Sequence, residues 1–314
     1  MSRVTYPDEL KRAAVSAYRT APRGQSIAAA SSVVGRAGFP LPRPQTVKDW
    51  AYLDASLGAP KVLSPVVRRY DDYLKINEDC LVLPDVHIPY HNASWINRCI
   101  AVARAMKIPS VFLPGDAIDA NWASAWGDSA PESLEDEIDG WVKYVEPALL
   151  ASFERVYWTV GNHEFRMARV TDHRVSTRTW LDRMFGRTDD RLVLTEYAWG
   201  EVHGVWVGHP KQASKSAHLN LARVKNQDAV LGHTHHFHAG QTEDGRHFGF
   251  QIGWCGDASK MRYINVQAPH GNQAYVNGAA IIMREPGDAR ATILPIIEGV
   301  TPPEAYLRIA EMVA

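Results

Sequence analysis

Five apolar runs, each closed by a Pro or Gly and then a polar residue, dominate the hydrophobic pattern through the middle of the chain. They are CLVLPD (80–85), SVFLPGD (110–116), RVYWTVGN (155–162), GVWVGH (204–209) and DAVLGH (228–233). Near-continuous apolar runs of this length predict strands buried on both faces, as in sheets covered by other layers. Helical patterns at 93–106, 132–153 and 213–226 alternate with them, which predicts an α/β layered domain. After residue 235 the pattern changes to alternating segments near 245–254, 274–284 and 290–297, expected to form an antiparallel sheet that completes the fold. A terminal helix is expected over 302–313, with Pro302 and Pro303 at its start.

The first seventy residues read differently. Residues 7–20 carry Leu10, Ala13, Ala14 and Ala17 at helical spacing behind a Pro and two acids. A second helix is expected over 26–37 with Ser26 as its N-cap, and a third over 46–55 capped by Thr46. A Pro-rich turn (Phe39-Pro40-Leu41-Pro42-Arg43-Pro44) separates these two. Residues 57–77 have two prolines, clustered charge and no sustained period, which suits a linker. The expected organisation is a helical module over 1–56, a linker over 57–77, a catalytic α/β domain over 78–300 and a C-terminal helix over 301–314.

Charge sharpens that division. Residues 1–70 hold eleven Lys/Arg against four acids, or +7, while the remaining 23 bases and 31 acids give −8. Opposite charge on two segments suggests two modules, the first with an anionic partner; the alternative is a basic segment docked on an acidic body. Three short helices ending in a Thr-Val-x-x-Trp helix resemble a helix-turn-helix module, with Arg43, Thr46 and Lys48 as the expected DNA contacts. The other reading is a small helical cap packed by Trp50 and Tyr52. Cys80, Cys99 and Cys255 are widely spaced and odd in number, which argues against a disulfide framework and for a reducing, cytoplasmic compartment. No segment approaches the roughly 18 apolar residues of a membrane span.

The polar ends of the five runs supply the candidate chemistry. They read Asp85-Val86-His87, Gly115-Asp116-Ala117-Ile118-Asp119, Gly161-Asn162-His163-Glu164, Gly208-His209 and Gly232-His233-Thr234-His235. Mixed imidazole and oxygen donors on loops at the ends of buried strands are what a two-metal hydrolase requires. A lone Asp at a strand end is usually a cap; five such motifs together are not. His209 is the least specific member, because Gly-His is a common turn and His203 and His218 lie nearby.

In this order the motifs resemble the calcineurin-like metallophosphoesterase superfamily, in the style of phage and prophage members. The resemblance spans about residues 80–237 and implies a layered metallophosphoesterase β-sandwich flanked by helices, with the small all-α module in front. It implies that Asp85, His87 and His235 hold one divalent cation, that Asn162, His209 and His233 hold a second, and that Asp116 bridges them. Mn is the expected metal, with Fe, Zn or Mg as alternatives. Two bridged cations clamp a phosphoryl group and lower the pKa of a water that attacks phosphorus. His163 is implied as the residue that serves the leaving oxygen or the phosphoryl oxygens, oriented by Asp119.

Substrate is less legible. Arg166, Arg169, Arg174, Arg178 and Arg183 are spaced to keep several on one helical face, which suits phosphates flanking a scissile bond or else a solvated face paired with Asp172 and Asp182. His91 and His236 lie next to the motifs as further candidate substrate contacts, Lys211 and Lys215 follow His209, and Trp122, Trp126, Tyr263 and Tyr275 are candidate base-stacking residues. The leading expectation is a phosphodiesterase or nuclease acting on DNA. A phosphomonoesterase on nucleotides or phosphoproteins is the alternative. A protein phosphatase is disfavoured, because Asp119 is followed by Ala120 rather than Arg-Gly. A DNA-binding regulatory protein with a vestigial site is the reading from another class.

Overall fold

The computed structural model describes residues 5–58, 71–124, 132–185, 189–211, 214–267 and 275–313. The chain divides into two compact units, Met1–Tyr70 and Asp71–Ala314.

In the first unit, α1 (Asp8–Thr20), α2 (Ser26–Arg36) and α3 (Pro44–Gly58) pack around Ala14, Ala30, Val34 and Val47. Tyr6, Leu10, Tyr18, Phe39 and Trp50 close this small core, and the Tyr6 and Trp50 rings meet edge-on at 4.9 Å. Two expected caps are displaced. Ser26 is already helical, because the Ala29 N–H reaches back to the Gln25 carbonyl. Helix α3 begins at Pro44, not after Thr46: proline's fixed φ suits the first helical position, and Val47 N–H bonds the Arg43 carbonyl. Tyr52 is 77% exposed, so of the two expected aromatics it is Trp50 that serves the core.

The second unit is two six-stranded mixed sheets with helices on their outer faces. Its strands are β1 (Leu74–Ile76), β2 (Cys80–Val82), β3 (Ser110–Pro114), β4 (Arg155–Thr159), β5 (Leu192–Leu194), β6 (Trp199–Val202), β7 (Val205–Gly208), β8 (Ala229–Leu231), β9 (Phe237–Gln241), β10 (Phe248–Ile252), β11 (Gly278–Met283) and β12 (Thr292–Ile297). One sheet runs β1-β6-β7-β8-β10-β9 and the other β12-β11-β2-β3-β4-β5. The late segments do not make a sheet of their own. β11 extends the second sheet antiparallel to β2 and β12 pairs antiparallel with β11, while β10 joins the first sheet parallel to β8.

The buried strands sort their side chains by period two. Val82, Phe112, Tyr157, Val207, Val230, Ala280 and Ile282 fill the space between the sheets. Their neighbours Leu81, Val111, Leu113, Val156, Trp158 and Ile281 face the helical layer of the second sheet instead. That layer comprises α4 (Ala93–Ala105), α5 (Leu134–Gly140), α6 (Glu146–Ser152), α7 (Asn162–Arg169), α8 (Thr177–Met184) and α10 (Pro303–Val313). A π turn at Trp141–Val145 joins α5 to α6. On the first sheet, α9 (Ala217–Lys225) covers Trp206, Ala229 and Leu231 and ends at Asn226 in the left-handed region. Among the described residues no helix is long and apolar enough to cross a membrane. Cys80, Cys99 and Cys255 are buried free thiols.

This topology places the chemistry. β2, β3 and β4 are parallel neighbours, so the loops leaving them emerge on one edge of their sheet. β7 and β8 are parallel neighbours in the other sheet. Ligand sites gather outside the C-terminal ends of such strands.

Candidate metal centre

The loops after these five strands bring the candidate ligands together. Three groups of side chains have donor atoms within 4.8 Å of one another: Asp85, His87 and His235; Asp116, His209 and His233; and His87, Asp116 and His163. The first two contain the Asp and His members of the two sets expected from the motifs. Asp116 Oδ2 lies 3.0 Å from His209 Nε2, and Asp85 Oδ1 lies 3.3 Å from His209 Nε2 and 3.4 Å from His235 Nε2. Asp85 therefore touches a histidine of each set. His203 and His218, the rivals of His209 in sequence, are elsewhere: His203 pairs with Asp79 at 2.8 Å, and His218 stacks on His238.

The backbone is held in an unusual form here. Asp85, His87, Asp116, His233 and His235 all have positive φ, between 48° and 80°. Each costs an L-residue roughly 1–2 kcal/mol, and such outliers concentrate at functional sites. The neighbouring glycines answer a second demand, that of room. A Cβ on Gly161 would stand 2.1 Å from Asp116 Oδ1, and one on Gly232 would stand 2.1 Å from Asp85 Oδ2.

Around the ligands, other side chains fix orientation. Asp119 Oδ1 accepts from His87 Nδ1 at 2.9 Å, which leaves His87 Nε2 as the free donor atom, the usual arrangement of a carboxylate behind a ligating imidazole. The same oxygen is 3.4 Å from His163 Nδ1, and the Asp119 carbonyl holds that nitrogen at 2.5 Å. Asp119 thus serves His87 as well as the expected His163. Glu164, fully buried, accepts five N–H groups: Gly161 at 2.7 Å, Ala117 at 2.8 Å, Asp116 at 2.9 Å, Trp158 Nε1 at 3.3 Å and Ile118 at 3.4 Å. It ties the second motif to the third. The sequence carries its signal as a Glu three residues after the helix-capping Gly161.

The donor set fits cations on two grounds. His87 Nε2 and His235 Nε2 face each other at 3.2 Å, a contact bridged by a ring hydrogen on His235 in the absence of a cation and open to a cation in its place. Asn162 Oδ1 is buried with no hydrogen-bond partner among the described residues. The shifts that burial imposes on these rings agree with a ligand set. Burial, then the charge of His209, takes His233 down to about 4, and burial lowers His235 against the pull of Asp85, so both rings are ready neutral donors. Burial opposes the charged form of His209, yet Asp116 and Asp85 hold its pKa well above the ordinary value. In the absence of a cation this imidazolium offsets one of the two carboxylate charges.

The expected substrate contacts are placed unevenly. Arg166 lies half-buried against His163, while Arg169, Arg174 and Arg183 are exposed. The arginines do not share one helix, because α7 and α8 are separated by a turn with Asp172 and His173 at positive φ. Arg178 pairs with Asp182. His91 lines a cleft of about 480 Å³ with Glu132, Asp136, Asp139 and Lys143, and three carboxylates make that a poor seat for phosphate. His236 stands 5.5 Å from Tyr275, whose ring is 4.8 Å from His235. Trp254, which the motifs did not flag, stacks on His235 at 4.5 Å. Trp122 packs against Trp180. Lys211 and Lys215 are exposed. Trp126 lies outside the described residues, and of Tyr263 only the backbone is described.

No protein-family model and no curated protein matches the chain. It is similar in fold to solved structures. Vacuolar Protein Sorting 29 from Cryptosporidium parvum is 13% identical, with 71% of this chain and 100% of that one covered at a TM-score of 0.36. Vps29 from Chaetomium thermophilum is 11% identical over 70% and 97%, at 0.35. A dimetal phosphatase from Danio rerio is 11% identical over 70% and 99%, at 0.33. At such identities the chemistry rests on the side chains above. The polar residues that follow five strands of two six-stranded mixed sheets are what the centre is built from.

Proposed function

We propose that the chain is a phosphoesterase dependent on two divalent cations, and that its substrate is a phosphodiester of DNA. Asp85, His87 and His235 would hold one cation, Asn162, His209 and His233 the other, with Asp116 shared between them. When bound, the cations would supply Lewis acidity and a water of lowered pKa. The observation that carries the reading is the convergence of seven Asp and His side chains from five loops, with two imidazole nitrogens 3.2 Å apart and an unpartnered Asn162 oxygen.

The chain's own groups divide the remaining work. Asp119 keeps the His87 ring in the tautomer that presents Nε2. His163 has its backbone N–H on Asp116 Oδ1 at 2.8 Å and its Nε2 3.6 Å from Asp116 Oδ2, which supports a role for the imidazole beside a phosphoryl group held there. From there it can hold or pass a proton at the leaving oxygen. The DNA part of the reading is supported by the basic first segment, where Arg43 and Lys48 are exposed at the start of α3 and Thr46 is half-buried.

The test compares Mn²⁺-dependent hydrolysis of bis-p-nitrophenyl phosphate, p-nitrophenyl phosphate and labelled single- and double-stranded DNA, with Asp116→Asn alongside. Diester and DNA cleavage that vanish in Asp116→Asn support the proposal. Turnover of the monoester alone replaces it with a phosphomonoesterase. DNA binding with no hydrolysis of any ester replaces it with a regulator carrying a vestigial site.

A further inference from the structure

Arg166 follows His163 by three residues on α7, so the two side chains leave one face of the helix. Its Nη2 lies 2.9 Å from His163 Nε2 and its Nη1 3.1 Å from the Asp119 carbonyl oxygen. The same carbonyl is 2.5 Å from His163 Nδ1. A carbonyl only accepts, so Nδ1 carries the ring hydrogen and Nε2 offers a lone pair, which Arg166 fills with an N–H. That nitrogen is the one 3.6 Å from Asp116 Oδ2. The edge of the imidazole turned toward the metal centre is therefore the edge that the guanidinium covers.

Both acceptors of Arg166 are neutral. Among the described residues it forms no ion pair, although the side chain is half-buried beside a cluster built from carboxylates and imidazoles. A guanidinium has five N–H groups in a planar fork and prefers anionic, planar or tetrahedral oxyanion partners to a neutral ring nitrogen. A phosphoryl oxygen entering the centre is a stronger acceptor than His163 Nε2.

Resting on the phosphoesterase reading, we propose that Arg166 is a substrate-displaced cap on His163. In the substrate-free chain its guanidinium occupies Nε2. An arriving phosphoryl oxygen takes that N–H, which both anchors the substrate and uncovers Nε2, the nitrogen that must bind a solvent proton before it can pass one to the leaving oxygen. Arg166 is then a substrate contact and a positioning residue for His163 at once, and the imidazole is available to chemistry only when phosphate is present.

Imidazole nitrogen resonances of ¹⁵N-histidine-labelled protein test this without turnover. In the metal-free protein, Arg166→Ala moves the His163 Nε2 signal toward that of a ring nitrogen without a hydrogen bond. In zinc-loaded wild type, titration with inorganic phosphate moves it the same way. Arg166→Ala also weakens phosphate inhibition and raises KM for bis-p-nitrophenyl phosphate, each about tenfold, at unchanged metal content. Arg166→Lys, which keeps the charge but not the fork, restores part of the phosphate affinity. A His163 signal that ignores both the substitution and phosphate overturns the cap. So does phosphate binding that is equally tight without the guanidinium. If the signal moves as expected but wild type hydrolyses no ester, the cap stands and the phosphoesterase reading falls.

Discussion

Replacing Glu164 by Gln exchanges one carboxylate oxygen for an NH₂ group in a pocket that contains only donors. Oε2 receives Gly161 and Asp116 N–H, and Oε1 receives Ala117, Ile118 and Trp158. Whichever way the amide turns, at least two N–H groups lose their acceptor and face another donor. Hydrogen bonds to a charged group are worth about 1.5–3 kcal/mol each, so the loss is roughly 3–6 kcal/mol. Part of this is returned, because burial and the neighbouring charge of Asp116 push the Glu164 pKa up and make its ionised form costly. A net destabilisation of about 2–4 kcal/mol remains. For a unit of this size that lowers Tm by roughly 5–15 °C. Glu164→Ala, which strands all five donors and opens a cavity, falls further. The assay is a thermal melt of metal-free protein beside a Mn²⁺ titration, since loosening the Asp116 backbone also weakens metal binding. A Gln variant that melts within about 2 °C of wild type and binds metal equally well refutes the view that Glu164 joins the two motif loops.

Other perturbations follow from the same geometry. Gly232→Ala drives a methyl into Asp85 Oδ2 and Pro84 Cβ, so metal affinity measured by titration falls at least about tenfold on the scale of lost supporting contacts. His163→Ala keeps its metal content and loses about 10²–10⁴ in turnover, whereas Asp116→Asn loses both; metal loss in the former removes the non-ligand assignment. Glu137 is 1% exposed, and burial followed by the charge of Asp119 raises its pKa to about 8. The folded chain therefore holds this proton longer than the unfolded chain does. Stability is unaffected below about pH 4.5, falls by about 1.4 kcal/mol per pH unit between there and about 8, and is level above. Glu137→Gln should gain on wild type at pH 9 but not at pH 5 in urea unfolding; an equal difference at both pH values contradicts this. Arg43→Ala with Lys48→Ala should weaken DNA binding and flatten its salt dependence by about two counterions, and unchanged affinity retires the DNA-contact reading of α3.

What the sequence disclosed, and what it did not, follows from the range of the interactions involved. Strands β2, β3, β4, β7 and β8 were legible because burial on both faces writes an uninterrupted apolar run into the chain, and the ligands were legible because each stands within three residues of such a run's end. The assignment of β10 to one sheet and of β11 and β12 to the other was not, because strand order is a pairing between distant segments that local alternation does not encode. The start of α3 was misplaced by two residues for a local reason, a proline that reads as a breaker but acts as the first helical residue. The site shows the same division. Glu164 stood inside a recognised motif, yet its five donors come from three segments. Arg166 stood out by spacing as a phosphate contact, yet spacing alone could not reveal that it covers the nitrogen of His163 that faces the centre. The positive φ values at five ligands have a sequence counterpart only in residue type, since Asp and His tolerate that region better than most. The same region is occupied at Asp172, His173 and Asn226 in turns and caps away from the centre, so it is the gathering of five such residues at strand ends, and not their cost, that marks the centre.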